Sequence, residues 1–244
     1  MAEAGNPLDS LPTRKGFRMR GLAATRIETF TDAAFAFALT LLVLAADIPS
    51  DYAGLMAAMG EVPAFILSAT LLMMFWTAHH TWSRRFGLED GATILLSCLL
   101  VFTVLIYVYP LRFMFSSMTT WLKYLVGLPI SSSPIVMQME DVNHMFVIYG
   151  LGFVAMSGTV VLLNLHAWRL RETLELNELE RFDTRAEIFM WSIVGGAGVL
   201  SILLALFTPP NIAGLPGWAY SSLAIIMPLQ GRRIDRRRKA LFGD

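Results

Sequence analysis

Residues 26–32, RIETFTD, and residues 75–80, FWTAHH, hold the side chains whose types and spacing suit chemistry. Both stretches border or lie within long apolar runs, where an ionised group costs several kcal/mol unless it finds partners. Asp32 therefore needs a cation or several hydrogen-bond donors inside the protein. Arg26 is the nearest cation, but six residues turn a helix through about 600°, so the two side chains leave it on different faces. Trp76 and His80 are four apart and Trp76 and His79 three apart, which puts an indole donor and an imidazole on one face, suited to a buried carboxylate. The expected arrangement is a polar cluster of Arg26, Asp32, Trp76 and one of His79 or His80 that joins the first helix to the second.

Other chemistry is open to the same residues. His79, His80 and Asp32 are metal-ligand types, but neighbouring helical histidines point about 100° apart and the single cysteine, Cys98, adds little, so no metal site is expected. Asp32 could instead cap its helix while Arg26 extends to the headgroups. As a proton relay, Asp32 with His79 and His80 would suit a proton-coupled secondary transporter. Further along the first helix, Phe37, Leu41 and Leu44 follow a 4, 3 spacing with Thr40 beside them. That stripe lies about 140° from Asp32, so the polar cluster and the apolar stripe face different directions.

The elements that must position these residues are membrane helices. The chain of 244 residues is 55% hydrophobic and 16% charged, too apolar for an ordinary soluble domain. A hydrocarbon core about 30 Å thick takes about 20 mostly apolar helical residues. Six stretches qualify: 29–48, 62–82, 92–112, 145–166, 187–207 and 212–230. Prolines mark many of their ends, among them Pro49, Pro63, Pro110, Pro209 and Pro210. The expected fold is an all-α integral membrane protein: a single six-helix domain over 1–244, with a leading segment 1–27 and a basic tail 231–244.

Orientation follows from the basic residues. All Lys and Arg except Arg112 and Lys123 fall in the leading segment, in the connections after the second and fourth spans, and in the tail. The positive-inside rule then places both termini in the cytoplasm of a multi-pass cell-membrane protein. The stretch 113–144 is expected as a long outer connection lying on the interface or re-entering the membrane. The segment ETLELNELERFDTRAE is expected as a solvated helical extension on the inner side. Equal numbers of acidic and basic residues, 19 each, argue against a nucleic-acid partner. No nucleophile stands beside a base and no phosphate-binding glycine loop occurs, so neither an enzyme nor a cofactor is expected. A short fifth-to-sixth connection and a fourth span without an arginine ladder exclude an ordinary voltage-gated potassium channel.

RIETFTDAAFAFALTLLVL, with Arg26, Phe30, Thr31 and Asp32, resembles the RxxxFSD motif of the transmembrane protein 175 family of potassium channels. The FWTAHH of the second span is similar to that family's tryptophan and histidine element. The resemblance implies a homotetramer of six-helix subunits that passes potassium and other monovalent cations without a carbonyl filter. Carried over by position, Phe37, Leu41 and Leu44 become the apolar rings of the pore, and Thr40 the hydroxyl layer linked to potassium preference. Arg26, Phe30, Thr31, Asp32, Trp76, His79 and His80 become the packing network. Two departures are Thr31 for the family's serine and Phe37 for the isoleucine or leucine of the narrowest ring.

Overall fold

The computed structural model describes residues 7–44, 49–127, 139–209, 212 and 214–243. After a short 3-10 turn at Pro7–Ser10, a two-stranded hairpin pairs β1 (Thr13–Arg14) with β2 (Phe17–Arg18) in antiparallel fashion. Seven helices follow: α1 (Arg26–Leu44), α2 (Tyr52–Gly60), α3 (Val62–Phe86), α4 (Gly91–Val126), α5 (Met139–Arg169), α6 (Glu178–Phe207) and α7 (Leu215–Phe242). Five of them, α1, α3, α4, α5 and α6, are long and apolar enough to cross a membrane. The sixth expected span, 212–230, overlaps α7, which is not among those five and in which Pro228 and the basic residues from Arg232 onward share one continuous helix.

Local sequence accounts for the helix ends. Pro63 opens α3 in its first turn, where its missing N–H breaks no intrahelical bond. Asp90 caps α4 by accepting from the Thr93 N–H at 2.9 Å, and His166 from the end of α5 lies 2.7 Å from its other oxygen. Burial alone would raise the Asp90 pKa, but the bonds from Thr93 and His166 hold it below the ordinary value. Asn177 and Glu180 form a reciprocal capping box that starts α6.

Two connections depart from expectation. The chain does not turn at Pro110: α4 runs through it to Val126, and 36 residues make a helix about 54 Å long, well beyond the hydrocarbon. The stretch from 113 to 126 is therefore a helical post that continues α4. The post is fixed by contacts at the corner it passes. The Arg112 guanidinium donates to the Leu42 carbonyl at 2.7 Å, Ser116 to Glu61 Oε2 at 2.6 Å, and Lys123 Nζ to the Gly60 carbonyl at 2.6 Å. The rest of that connection, 128–138, lies outside the described residues.

The second departure is on the basic side. Glu180, expected on a solvated extension, is fully buried. Its carboxylate pairs with Arg18 and with Arg20, each at 2.9 Å. The described part of the leading segment is thus folded against the bundle rather than trailing from it. Lys15 and Gly16, both with positive φ, form the tight hairpin turn and aim Phe17 inward. Phe17 packs edge-on against Phe86 at 5.7 Å, among Trp82, Leu163, Ala167 and Leu176. The Arg20 and Gly21 N–H groups donate to the Arg85 and Arg84 carbonyls at 3.3 and 3.0 Å, satisfying acceptors that the end of α3 leaves open.

The main core lies between α1, α3, α4 and α5, around Phe35, Leu42, Leu72, Phe75, Leu100, Val104, Tyr107, Phe153 and Met156. At its tightest point, a Cβ on Gly152 would stand 2.1 Å from Tyr107 Cδ2. That ring cannot move aside, because it is 2% exposed and its hydroxyl donates to the Tyr149 carbonyl at 2.6 Å. Gly152→Ala is therefore expected to cost about 1–3 kcal/mol through overpacking. A lower thermal midpoint of the purified protein in detergent, relative to wild type, checks this.

Candidate functional site

Helix α1 has two dissimilar faces. Glu28, Thr31, Phe35, Ala38 and Leu42 are buried, at the 3, 4, 3, 4 spacing of a single helical stripe. The opposite stripe carries Phe30 and Phe37, each 54% exposed, Thr40, also exposed, and Leu44 at 66%. Leu41 sits at the border, half-buried and packed against the core. The Thr40 hydroxyl donates back to the Ala36 carbonyl at 3.1 Å, which leaves its oxygen lone pairs open to a ligand. Both ends of α1 are tethered: the first lies six residues beyond Arg20 and its bond to Glu180, and the Leu42 carbonyl accepts from Arg112.

The polar residues of α1 meet α3. Trp76 Nε1 donates to Asp32 Oδ1 at 2.8 Å, the contact that the carboxylate's desolvation demands. The Trp76 indole also stacks on the His80 imidazole at 5.4 Å with planes 19° apart. The two histidines part company, as their 100° separation requires. His79 is buried and shares a 2.9 Å hydrogen bond with Ser97 of α4, whereas His80 Nδ1 faces Glu28 Oε1 at 3.2 Å. Ser83, one turn beyond, donates to Glu28 Oε2 at 3.1 Å.

Three placements change the expected cluster. Arg26 is exposed, and no ion pair joins it to Asp32. It starts α1 on the outward side of the helix, so arginine's reach is not spent on the carboxylate. Glu28, unassigned from sequence, is the most buried acid of α1, 2% exposed. Its signal was its position, four residues before Asp32, which puts both carboxylates on one helix face. Thr31 is fully buried and its hydroxyl donates to the Ile27 carbonyl at 2.8 Å, whereas Phe30 points outward with Phe37.

Chemically, the arrangement offers two things. The buried side of α1 carries two carboxylates against indole, hydroxyl and imidazole, a set that binds α1 to α3. The outward side offers apolar groups and one hydroxyl, which can exclude water or line a passage but cannot carry out covalent chemistry.

Comparison with known proteins bears on the same region. The family model for the endosomal/lysosomal potassium channel TMEM175 matches residues 26–110, the span containing both polar stretches. A potassium channel of Marivirga tractuosa is 32% identical over 236 residues, covering 93% of this chain and 94% of the relative. The crystal structure of a single-substitution variant of the potassium channel MtTMEM175, bound to a nanobody–MBP fusion protein, superposes with a TM-score of 0.81 at 30% identity. It covers 93% of this chain and 100% of that one.

Proposed function

We propose, on the premise that this chain belongs to the TMEM175 family of potassium channels, that it is a potassium-preferring cation channel of the cell membrane. In this reading four six-span subunits, with both termini cytoplasmic, surround a pore lined by α1. Phe37, Leu41 and Leu44 supply apolar rings that gate by dewetting, and Thr40 supplies a ring of hydroxyl oxygens for a partly dehydrated ion. The observation that carries the proposal is the outward stripe of α1. Its buried face already completes the subunit core, and the opposite face presents Phe37, Thr40 and Leu44 together.

The remaining geometry supports a gate rather than a filter. A carbonyl filter needs unwound backbone, whereas α1 is helical from Arg26 to Leu44. Widening must then come from tilting or rotation of whole helices, and the Asp32–Trp76 and Glu28–His80 contacts set the resting position of α1 against α3. A proton-coupled carrier using Asp32, His79 and His80 is less well supported, because His79 turns away to Ser97.

The test is flux from liposomes holding purified protein, under separate potassium, sodium and proton gradients. Electrogenic potassium flux exceeding sodium flux, with no fixed proton stoichiometry, is expected. Obligatory potassium–proton coupling would replace the channel with the carrier.

A further inference from the structure

Away from α1, a groove of about 480 Å³ runs between α5 and α6, lined by Leu165, Trp168, Arg185, Ile188, Phe189 and Ser192. The Arg185 guanidinium lies over the Trp168 ring at 4.4 Å from its centroid, and that of Arg171 at 5.1 Å. We propose that this groove binds one anionic glycerophospholipid from the leaflet on the basic side, with the phosphate on Arg185 and an acyl chain along Leu165, Ile188 and Phe189. The proposal needs α5 and α6 to cross a membrane and is independent of the pore.

Three observations point to a lipid rather than to a solvated surface contact. Stacking on an indole occupies the face of a guanidinium and none of its N–H donors, so the fork of Arg185 stays available to a phosphate. Among the described residues no carboxylate competes for it: Asp183 pairs with Arg238 and Glu187 with Arg85, each at 2.9 Å, and Glu172 is shared by Arg171 and Arg181. Next to this charge the wall is apolar. The Ser192 hydroxyl is spent on the Ile188 carbonyl at 2.7 Å, and Phe189 is exposed beside it. Finally, neither helix closes the groove further into the membrane. A Cβ on Gly158 of α5 or on Gly196 of α6 would meet nothing within 4 Å, and the packing of Gly195 on Ser157 puts those two glycines at one level. From Arg185 to Gly196 is about 16 Å along the helix, a length that suits an acyl chain and exceeds what a free phosphate needs.

The position along the helices also fits a headgroup. Trp168 is the last residue but one of α5, where an amphipathic ring suits the boundary between hydrocarbon and water. Arg185 lies two turns inside α6, so its stem can follow apolar surface while the guanidinium reaches the phosphate level. A zwitterionic headgroup brings its own ammonium beside the phosphate and gains less from Arg185 than an anionic one does. Binding to the folded state alone also raises stability, here at the end of α6 that holds Glu180.

The probe is phosphatidylglycerol, offered to the purified full-length protein in detergent with an equal mole fraction of phosphatidylcholine, while native mass spectrometry counts the lipid retained. Wild type is expected to keep one phosphatidylglycerol per subunit with a preference of about fivefold or more, the factor that one arginine near a lipid surface supplies. Arg185→Gln should remove that preference, and Arg236→Gln, on the exposed face of the tail, should leave it intact. Ser192→Trp fills the groove and keeps every arginine, so it should lower retention by a similar factor. No preference in wild type, unchanged retention in Arg185→Gln, or an equal loss in Arg236→Gln overturns the site. Full retention in Ser192→Trp overturns the seat of the acyl chain, and displacement of the lipid by inorganic phosphate assigns Arg185 to a free anion instead. Should Arg185→Gln fail to fold, Arg185→Lys keeps the charge and gives up the fork; weaker retention is expected, and retention equal to wild type overturns the phosphate's place on Arg185.

Discussion

Phe37→Ala is expected to raise resting potassium leak by tenfold or more and to narrow the difference between potassium and sodium. Truncation removes a phenyl group from each subunit at the narrowest ring of the proposed tetrameric pore, and each 1.4 kcal/mol taken from the barrier is a factor of ten in rate. An apolar constriction blocks because water leaves it. Replacing four rings by methyl groups widens the constriction, and the pore then stays wet. The fold should tolerate the change, since Phe37 is 54% exposed within its subunit and contributes little to the core. Phe35, two residues earlier and 2% exposed, is the control. Phe35→Ala should lower stability by about 3–5 kcal/mol and change flux chiefly through loss of protein. Paired potassium and sodium flux assays on both variants, with thermal midpoints, separate the two effects. Leak and selectivity unchanged in Phe37→Ala would remove the outward stripe from the pore.

That Phe37 faces away from Asp32 was legible in the sequence, because it is a matter of period. The 3.6-residue repeat fixes which side of α1 each residue takes once a single residue is placed, and Asp32 placed it by requiring protein partners. The same logic predicted the Trp76–Asp32 bond from the cost of a carboxylate in hydrocarbon. It could not choose between His79 and His80, since both lie within a turn of Trp76. That choice was made by Ser97 on α4 and Glu28 on α1, which occupy the two directions available. Arg26 shows the limit of pairing by proximity. Its guanidinium is the nearest cation to Asp32 along the chain, yet a short outward path to water serves a guanidinium better than burial.

The overall plan was legible where hydropathy and charge dominate, and less so where long-range contacts do. Mean hydropathy located the cores of α3, α4, α5 and α6, but not the continuation of α4 beyond Pro110. A proline removes only one donor, and the turns beyond it are held by Glu61 and the end of α2, partners more than fifty residues away. Likewise, a sequence with Glu172, Glu175, Glu178 and Glu180 among Arg171, Arg181 and Arg185 reads as a solvated face. The structure singles out Glu180 only because Arg18 and Arg20, some 160 positions earlier, converge on it.

That convergence makes Glu180→Gln the most destabilising change expected outside the hydrophobic core. Arg18 donates to Glu180 through its backbone N–H, Nε and Nη2, and Arg20 through both terminal nitrogens. The side chains of the two arginines are only 12% and 8% exposed. An amide in place of the carboxylate takes away the negative charge on which the Arg18 and Arg20 guanidinium groups both converge. Breaking such a group by removing one partner costs about 3–5 kcal/mol, which for a chain of this size lowers the thermal midpoint by on the order of 10 °C. Removing all three charges together, in Arg18→Met, Arg20→Met and Glu180→Met, should cost less than Glu180→Gln alone, because no ion is then stranded. Thermal midpoints in detergent test that inversion. A single variant within a degree or two of wild type, or a triple variant as unstable as the sum of its parts, would show that the hairpin is not held by charge. The consequence reaches the pore because Arg20 is six residues from the start of α1. Releasing it from α6 frees the N-terminal end of the helix that carries Phe37, while Arg112 still holds the Leu42 carbonyl at the other. Glu180→Gln should therefore alter resting potassium flux at temperatures well below its own midpoint, although its carboxylate lies on α6, away from the outward stripe of α1.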